Sequence, residues 1–178
     1  LTCVGTFFDT ERAGFKSLDS FRRDEAKEKG CQEVVVRKQK AWRFPFEKRS
    51  ERVATLIRAL ANLNGGAKQA LHYTDLTPAI LILAVTKNGN HPFYRIFKAS
   101  KTHKTEFNRE AFEEILRVYQ QDFLSNIYIG WSKGFLDDER KKMETAIKEI
   151  GIAEKVWFGH PREITDKMAT VLLDVKNS

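Results

Sequence analysis

The stretch Ile80-Leu81-Ile82-Leu83-Ala84-Val85-Thr86-Lys87-Asn88-Gly89-Asn90-His91-Pro92-Phe93-Tyr94-Arg95-Ile96-Phe97 sets the expected topology. Its six-residue apolar opening is of strand length, Asn88-Gly89-Asn90 is a turn signal, and His91 to Phe97 reads as the return strand of a hairpin. Upstream, Val34 to Arg43 carries the β-branched run Val34-Val35-Val36 followed by alternation, and reads as a strand that breaks at Pro45. Between the two, Glu47 to Leu63 places Val53, Leu56, Ile57, Leu60 and Leu63 on one face of an amphipathic helix, stopped by Asn64-Gly65-Gly66. Downstream, a basic loop from Lys98 to Thr105 leads to the N-cap residue Asn108. The next helix carries Phe112, Ile115, Leu116, Tyr119 and Phe123 on one face. Ile127 to Trp131 is a further short strand, with Gly130 and Gly134 bracketing a tight connection.

From Val34 to Trp131 the order is strand, helix, strand, strand, helix, strand. That predicts an α+β, ferredoxin-like βαββαβ domain, an antiparallel sheet with helices on one face, an arrangement that RNA-recognition domains use. An extra helix-strand-helix follows. Asp137 caps a helix that buries Met143, Ala146, Ile147 and Ile150 and ends at Gly151, then come a strand at Val156 to Phe158 and a helix from about Arg162 to Leu173. Residues 1–33 form an N-terminal segment or insertion, and 34–178 the RNA-recognition-like domain. Leu1 is not an initiator Met and Leu1 to Phe8 reads like the inside of a strand, so a native N-terminal part is expected to be missing.

With 178 residues, 42% hydrophobic and 31% charged, the chain is neither a disordered tail nor a fibrous repeat. Cys3 and Cys31, without a CxxC pair, suggest neither a disulfide framework nor a cysteine zinc site, and favour a reducing, cytoplasmic setting. No run approaches the roughly 18 apolar residues of a membrane span.

The net charge of +7 is concentrated. Arg37, Lys38, Lys40, Arg43, Lys48, Arg49, Arg52 and Arg58 stand against only Glu47 and Glu51, and Lys87, Arg95, Lys98, Lys101 and Lys104 fall in a block without any acid. Trp42, Phe44 and Phe46 are interleaved in the first block, and Phe93, Tyr94 and Phe97 in the second. Cations beside flat rings suit single-stranded nucleic acid, because phosphates need positive charge and unstacked bases need a surface. The same pattern also fits core aromatics beneath a solvated basic face.

Gly65-Gly66-Ala67-Lys68-Gln69-Ala70-Leu71-His72-Tyr73-Thr74-Asp75 is the most concentrated polar stretch. Paired glycines expose backbone N–H groups and Lys68 adds a point charge, a combination suited to phosphate; the plain alternative is a glycine helix cap followed by a loop. His72 with Tyr73 and Asp75 has the residue types of a general acid/base group, or of a histidine hydrogen-bonded within its loop. The histidines at 72, 91, 103 and 160 show no ligand spacing, so neither a metal nor a cofactor is expected.

The block Gly65 to Pro78, together with Pro45-Phe46-Glu47-Lys48-Arg49-Ser50-Glu51-Arg52-Val53, the helix ending Arg58-Ala59-Leu60-Ala61-Asn62-Leu63, Tyr128-Ile129-Gly130-Trp131-Ser132-Lys133-Gly134 and Phe158-Gly159-His160-Pro161-Arg162, resembles the DevR-type CRISPR-associated autoregulator family. That family supplies the repeated backbone (RAMP-type) subunit of type I, most similarly type I-B, Cascade complexes in antiviral defence. The resemblance implies a modified RNA-recognition-motif fold and a non-enzymatic protein that polymerises head to tail along a CRISPR guide RNA. It implies contact with other Cascade subunits, and with target DNA only through guide pairing. The loop residues Gly65, Gly66, Lys68 and Gln69 would hold RNA. Arg37, Lys38, Lys40, Arg43, Lys98 and Lys101 would extend the positive track, with Trp42 or Tyr94 stacking on bases. The alternative is a metal-independent endoribonuclease that processes CRISPR RNA through His72 and Tyr73.

Overall fold

The computed structural model describes residues 7–8, 20–36, 39–63, 76–87 and 91–174. Its chain mixes α and β elements in two compact units, Leu1–Ala59 with Ala169–Ser178, and Leu60–Met168. The expected boundary between residues 33 and 34 falls inside a strand of the first unit. Among the described residues no helix is long and apolar enough to cross a membrane.

The first unit holds β1 (Phe7–Phe8), α1 (Ser20–Glu28), β2 (Gln32–Val36), β3 (Gln39–Arg43) and most of α2 (Phe46–Leu60). Its sheet has the order β1-β3-β2, all neighbours antiparallel. The single strand expected over Val34 to Arg43 is therefore two strands, with Val36 paired to Gln39 and Gln32 to Arg43. Trp42, Ala26 and Cys31 form a small core with Phe44 packed against it, and burial pushes the Cys31 thiol pKa up. α2 ends at Leu60 where the expected helix, Glu47 to Leu63, runs on to Leu63, and its buried side chains are Ser50, Ala54 and Ile57, whereas Leu56 is 47% exposed. Of the apolar stripe read from the sequence only Ile57 is fully buried, and Ser50 and Ala54 lie on the buried side in place of Leu56.

The second unit is built on β4 (Ile80–Leu83), β5 (Phe97–Ala99), β6 (Thr105–Phe107), α3 (Arg109–Val118), β7 (Ile127–Trp131), α4 (Asp137–Ile150), β8 (Val156–Gly159) and the start of α5 (Pro161–Asp174). Its sheet runs β4-β7-β8, with β4 antiparallel and β8 parallel to β7. This differs from the expected all-antiparallel βαββαβ sheet. β4 pairs with β7 and not with His91 to Phe97, and the β7-α4-β8 crossover makes the neighbouring strands parallel, as such a connection does.

Alternation along the strands gives the sheet two different faces. Ile80, Ile82, Ile127, Ile129, Trp131, Val156 and Phe158 join Phe112, Ile115 and Leu116 of α3 and Met143, Ala146 and Ile147 of α4 in one core. Each fully buried large apolar side chain there contributes about 1.5–3 kcal/mol. The opposite face carries Gly130 within β7, not at a connection, where a side chain would lie 2.6 Å from the Cα of Pro161; the missing Cβ lets α5 pack onto the sheet. Asn108 caps α3 as expected, its side chain accepting from the Ala111 N–H, and Gly151 (φ +77) ends α4.

Candidate nucleic-acid interface

Pro92 has no N–H to offer a strand ladder, and the His91 imidazole caps the turn by accepting from the Phe93 N–H at 3.2 Å. Pro92–Arg95 is accordingly a 3-10 turn, not a return strand. Phe93 and Ile96 are buried, Phe93 stacking on Phe123 with ring centroids 5.8 Å apart, which turns the intervening Tyr94 outward. Tyr94 is 64% exposed, and the Arg95 guanidinium lies over its ring at 4.8 Å.

The chain then enters the β5–β6 hairpin, whose facing residues are Phe97 and Phe107, Lys98 and Glu106, and Ala99 and Thr105. Phe97 meets Trp131 edge-on and Phe107 meets Phe112, so the base of the hairpin is anchored in the core. Its tip is closed by three hydrogen bonds at Ser100: the Ser100 N–H donates to the Lys104 carbonyl at 2.7 Å, the Lys104 N–H to Ser100 Oγ at 3.0 Å, and the His103 N–H to the Ser100 carbonyl at 3.0 Å. His103 takes a φ of 59°, which histidine tolerates better than most residues. Lys98, Lys101, His103 and Lys104 are all exposed on this fixed scaffold.

The two basic blocks differ in what their charges meet. In the first, Lys48 pairs with Glu51 at 2.9 Å, the Arg49 guanidinium sits 5.5 Å from the Phe46 ring centre, and that of Arg52 sits 4.3 Å from that of Phe44. Cations cover those rings as Arg95 covers Tyr94, so the blocks differ in their ion pairs. In the second block, none of Lys87, Arg95, Lys98, Lys101 and Lys104 joins a salt bridge among the described residues.

Of the expected RNA-binding residues, Tyr94, Lys98 and Lys101 are exposed side chains of the same segment of the second unit. Gly65, Gly66, Lys68, Gln69, Arg37 and Lys38 lie outside the described residues, as do His72, Tyr73 and Asp75. Lys40 stands in β3 opposite Val35, and Arg43 in the same strand is half-buried. Trp42 is a correction: at 6% exposure it is a core residue against Ala26 and Cys31, not a platform for bases. Arg95, His103 and Lys104 are exposed in the same segment although the expected set does not contain them; the absence of acids from 87 to 104 is the signal that marks them. Among the described residues no group of three His, Cys, Asp or Glu side chains is placed to hold a metal ion. No family model matches this sequence, and neither a curated protein nor a solved structure is significantly similar to it.

Proposed function

We propose that this protein binds CRISPR guide RNA as a repeated, non-enzymatic backbone subunit of a type I Cascade complex, with the β5–β6 hairpin as one of its RNA contacts. The observation that supports the reading most is the unpaired charge of Arg95, Lys98, Lys101 and Lys104 beside the exposed Tyr94 ring. Cations without carboxylate partners remain available to phosphates, and a rigid base lowers the entropy lost on binding. The likeness of the Gly65 to Pro78 block to the DevR-type family narrows the polyanion to guide RNA. The reading uses a hairpin tip and does not require an open sheet face.

Fluorescence anisotropy with a labelled CRISPR repeat–spacer RNA, titrated at several salt concentrations, tests it. The logarithm of affinity should fall linearly with the logarithm of salt, and Lys98→Gln, Lys101→Gln and Lys104→Gln together should reduce the slope by about 2, roughly 0.7 for each phosphate no longer neutralised. Absence of binding at physiological salt, or a slope unchanged by the triple substitution, overturns the assignment of the hairpin. Cleavage of the same RNA in EDTA would replace the binding role by the endoribonuclease one. Electron microscopy after co-expression with a CRISPR array should show regular assemblies.

A further inference from the structure

Beside the start of β7 the second unit has a cavity of about 540 Å³. Leu116, Phe123, Ile127, Ile150 and Ile152 give it an apolar floor, supplied by α3, the segment before β7 and its first residue, and the end of α4 with the turn that follows. Arg117, Lys155, Gln120 and Asn126 also line it, and none of these four side chains has a hydrogen bond or ion pair among the described residues. The acid that lines it, Glu113, is held by the Arg109 guanidinium at 2.6 Å.

A concave, largely apolar cavity of this size with a few polar groups is the usual form of a small-ligand site. A bound peptide would call for an extended groove or an open strand edge, so the shape favours a small molecule. The floor rewards removal of an apolar body from water, while Arg117 and Lys155 offer charge-assisted hydrogen bonds to an anionic head. We propose that this cavity binds a small amphipathic anion, an apolar body with one carboxylate or phosphate head. The site shares no residue with the basic hairpin and does not depend on the RNA reading.

Amide-detected NMR titration of the full chain with decanoate and decyl phosphate below their micellar concentrations, and with decanol below its solubility limit, tests the proposal. Decanoate or decyl phosphate should shift Phe123, Ile127 and Ile152 saturably, the tighter of the two identifying the head. Decanol, which offers no charge to the two exposed cations, should bind about tenfold more weakly. Arg117→Gln with Lys155→Gln should bring anion and alcohol to equal affinity, and Ile152→Trp, which fills the cavity, should abolish both. Because Arg117 and Lys155 are exposed, the double variant keeps the test decisive should Ile152→Trp fail to fold. Shifts centred on Lys98 and Lys101, decanol binding as tightly as the anions, or no saturable binding of any probe would overturn the site.

Discussion

Glu139 Oε2 accepts the backbone N–H of Phe107 at 2.7 Å, which fastens the first turn of α4 to the second strand of the basic hairpin. Its other oxygen accepts from Lys142 Nζ at 2.7 Å, and the residue is only 9% exposed. Burial pushes the carboxyl pKa up. The hydrogen bonds from Lys142 and the Phe107 amide outweigh that and hold it below the ordinary glutamate value.

A carboxyl group whose pKa is lowered by folding stabilises the fold above its unfolded-state value, and that stability is lost as pH falls through the lower native one. Denaturant unfolding should therefore show an acid limb beginning below about pH 4.3. Glu139→Gln should flatten that limb and cost about 1 kcal/mol at neutral pH, and Glu139→Ala about 1–3 kcal/mol because the buried amide loses its acceptor. An unchanged acid limb in Glu139→Gln would show that this hydrogen bond does not govern stability there.

Gly130 and Gly159 are neighbours in register across β7 and β8, yet they should respond differently to alanine. A Cβ at Gly130 meets the Pro161 backbone at 2.6 Å and Ile164 Cγ1 at 2.9 Å, so α5 must move off the sheet. At Gly159 the closest atom is Glu163 Oε2 at 2.9 Å, the end of a flexible side chain, although one that accepts from the His160 N–H at 2.8 Å. Gly130→Ala should cost about 3 kcal/mol, the upper part of the overpacking range, and Gly159→Ala about 1 kcal/mol. Equal losses in thermal unfolding would contradict this account of why β7 carries a glycine.

These local effects also separate what the sequence discloses from what it hides. The helix at Asn108 is legible because its cap and its Phe112, Ile115, Leu116 face are local and periodic. The end of α4 is legible because Gly151 takes a positive φ. The partner of β4 is not, since Ile82 faces Ile129 across 47 positions and no short pattern encodes so distant a pairing. The β2–β3 hairpin is hidden for another reason: Arg and Lys stand between Val36 and Gln39 where an Asn-Gly signal would be read. Pro92 does carry a signal against a strand, and the apolar residues around it outweigh that signal. At the site, charge concentration points to Lys98 and Lys101, but only burial distinguishes Tyr94 from Trp42.

Asn108 joins helix and turn: its Oδ1 accepts from the Ala111 N–H at 3.4 Å and its Nδ2 donates to the Arg95 carbonyl at 3.3 Å. Asn108→Ala should cost about 1 kcal/mol, the usual loss for an N-cap. Asn108→Asp keeps the cap but not the donor, so it should restore most of the stability while leaving faster amide hydrogen exchange around Arg95. Exchange at Arg95 unaltered in both variants would mean that Asn108 does not position the turn.

Tyr94 and Trp42 provide the sharpest contrast for the RNA reading. Arg95 covers one face of the Tyr94 ring at 4.8 Å, and the residue's 64% exposure leaves surface on which a base can stack. Stacking contributes about 1–3 kcal/mol per base, so Tyr94→Ala should weaken RNA binding about tenfold or more. The salt slope should not change, because the ring neutralises no phosphate. Trp42→Ala should behave oppositely, lowering stability by about 3–5 kcal/mol through the cavity it leaves against Ala26 and Cys31. RNA affinity of the folded fraction should stay the same. Anisotropy titrations beside thermal melts of the two variants give both quantities. Loss of affinity in Trp42→Ala without loss of stability would return that ring to the binding surface.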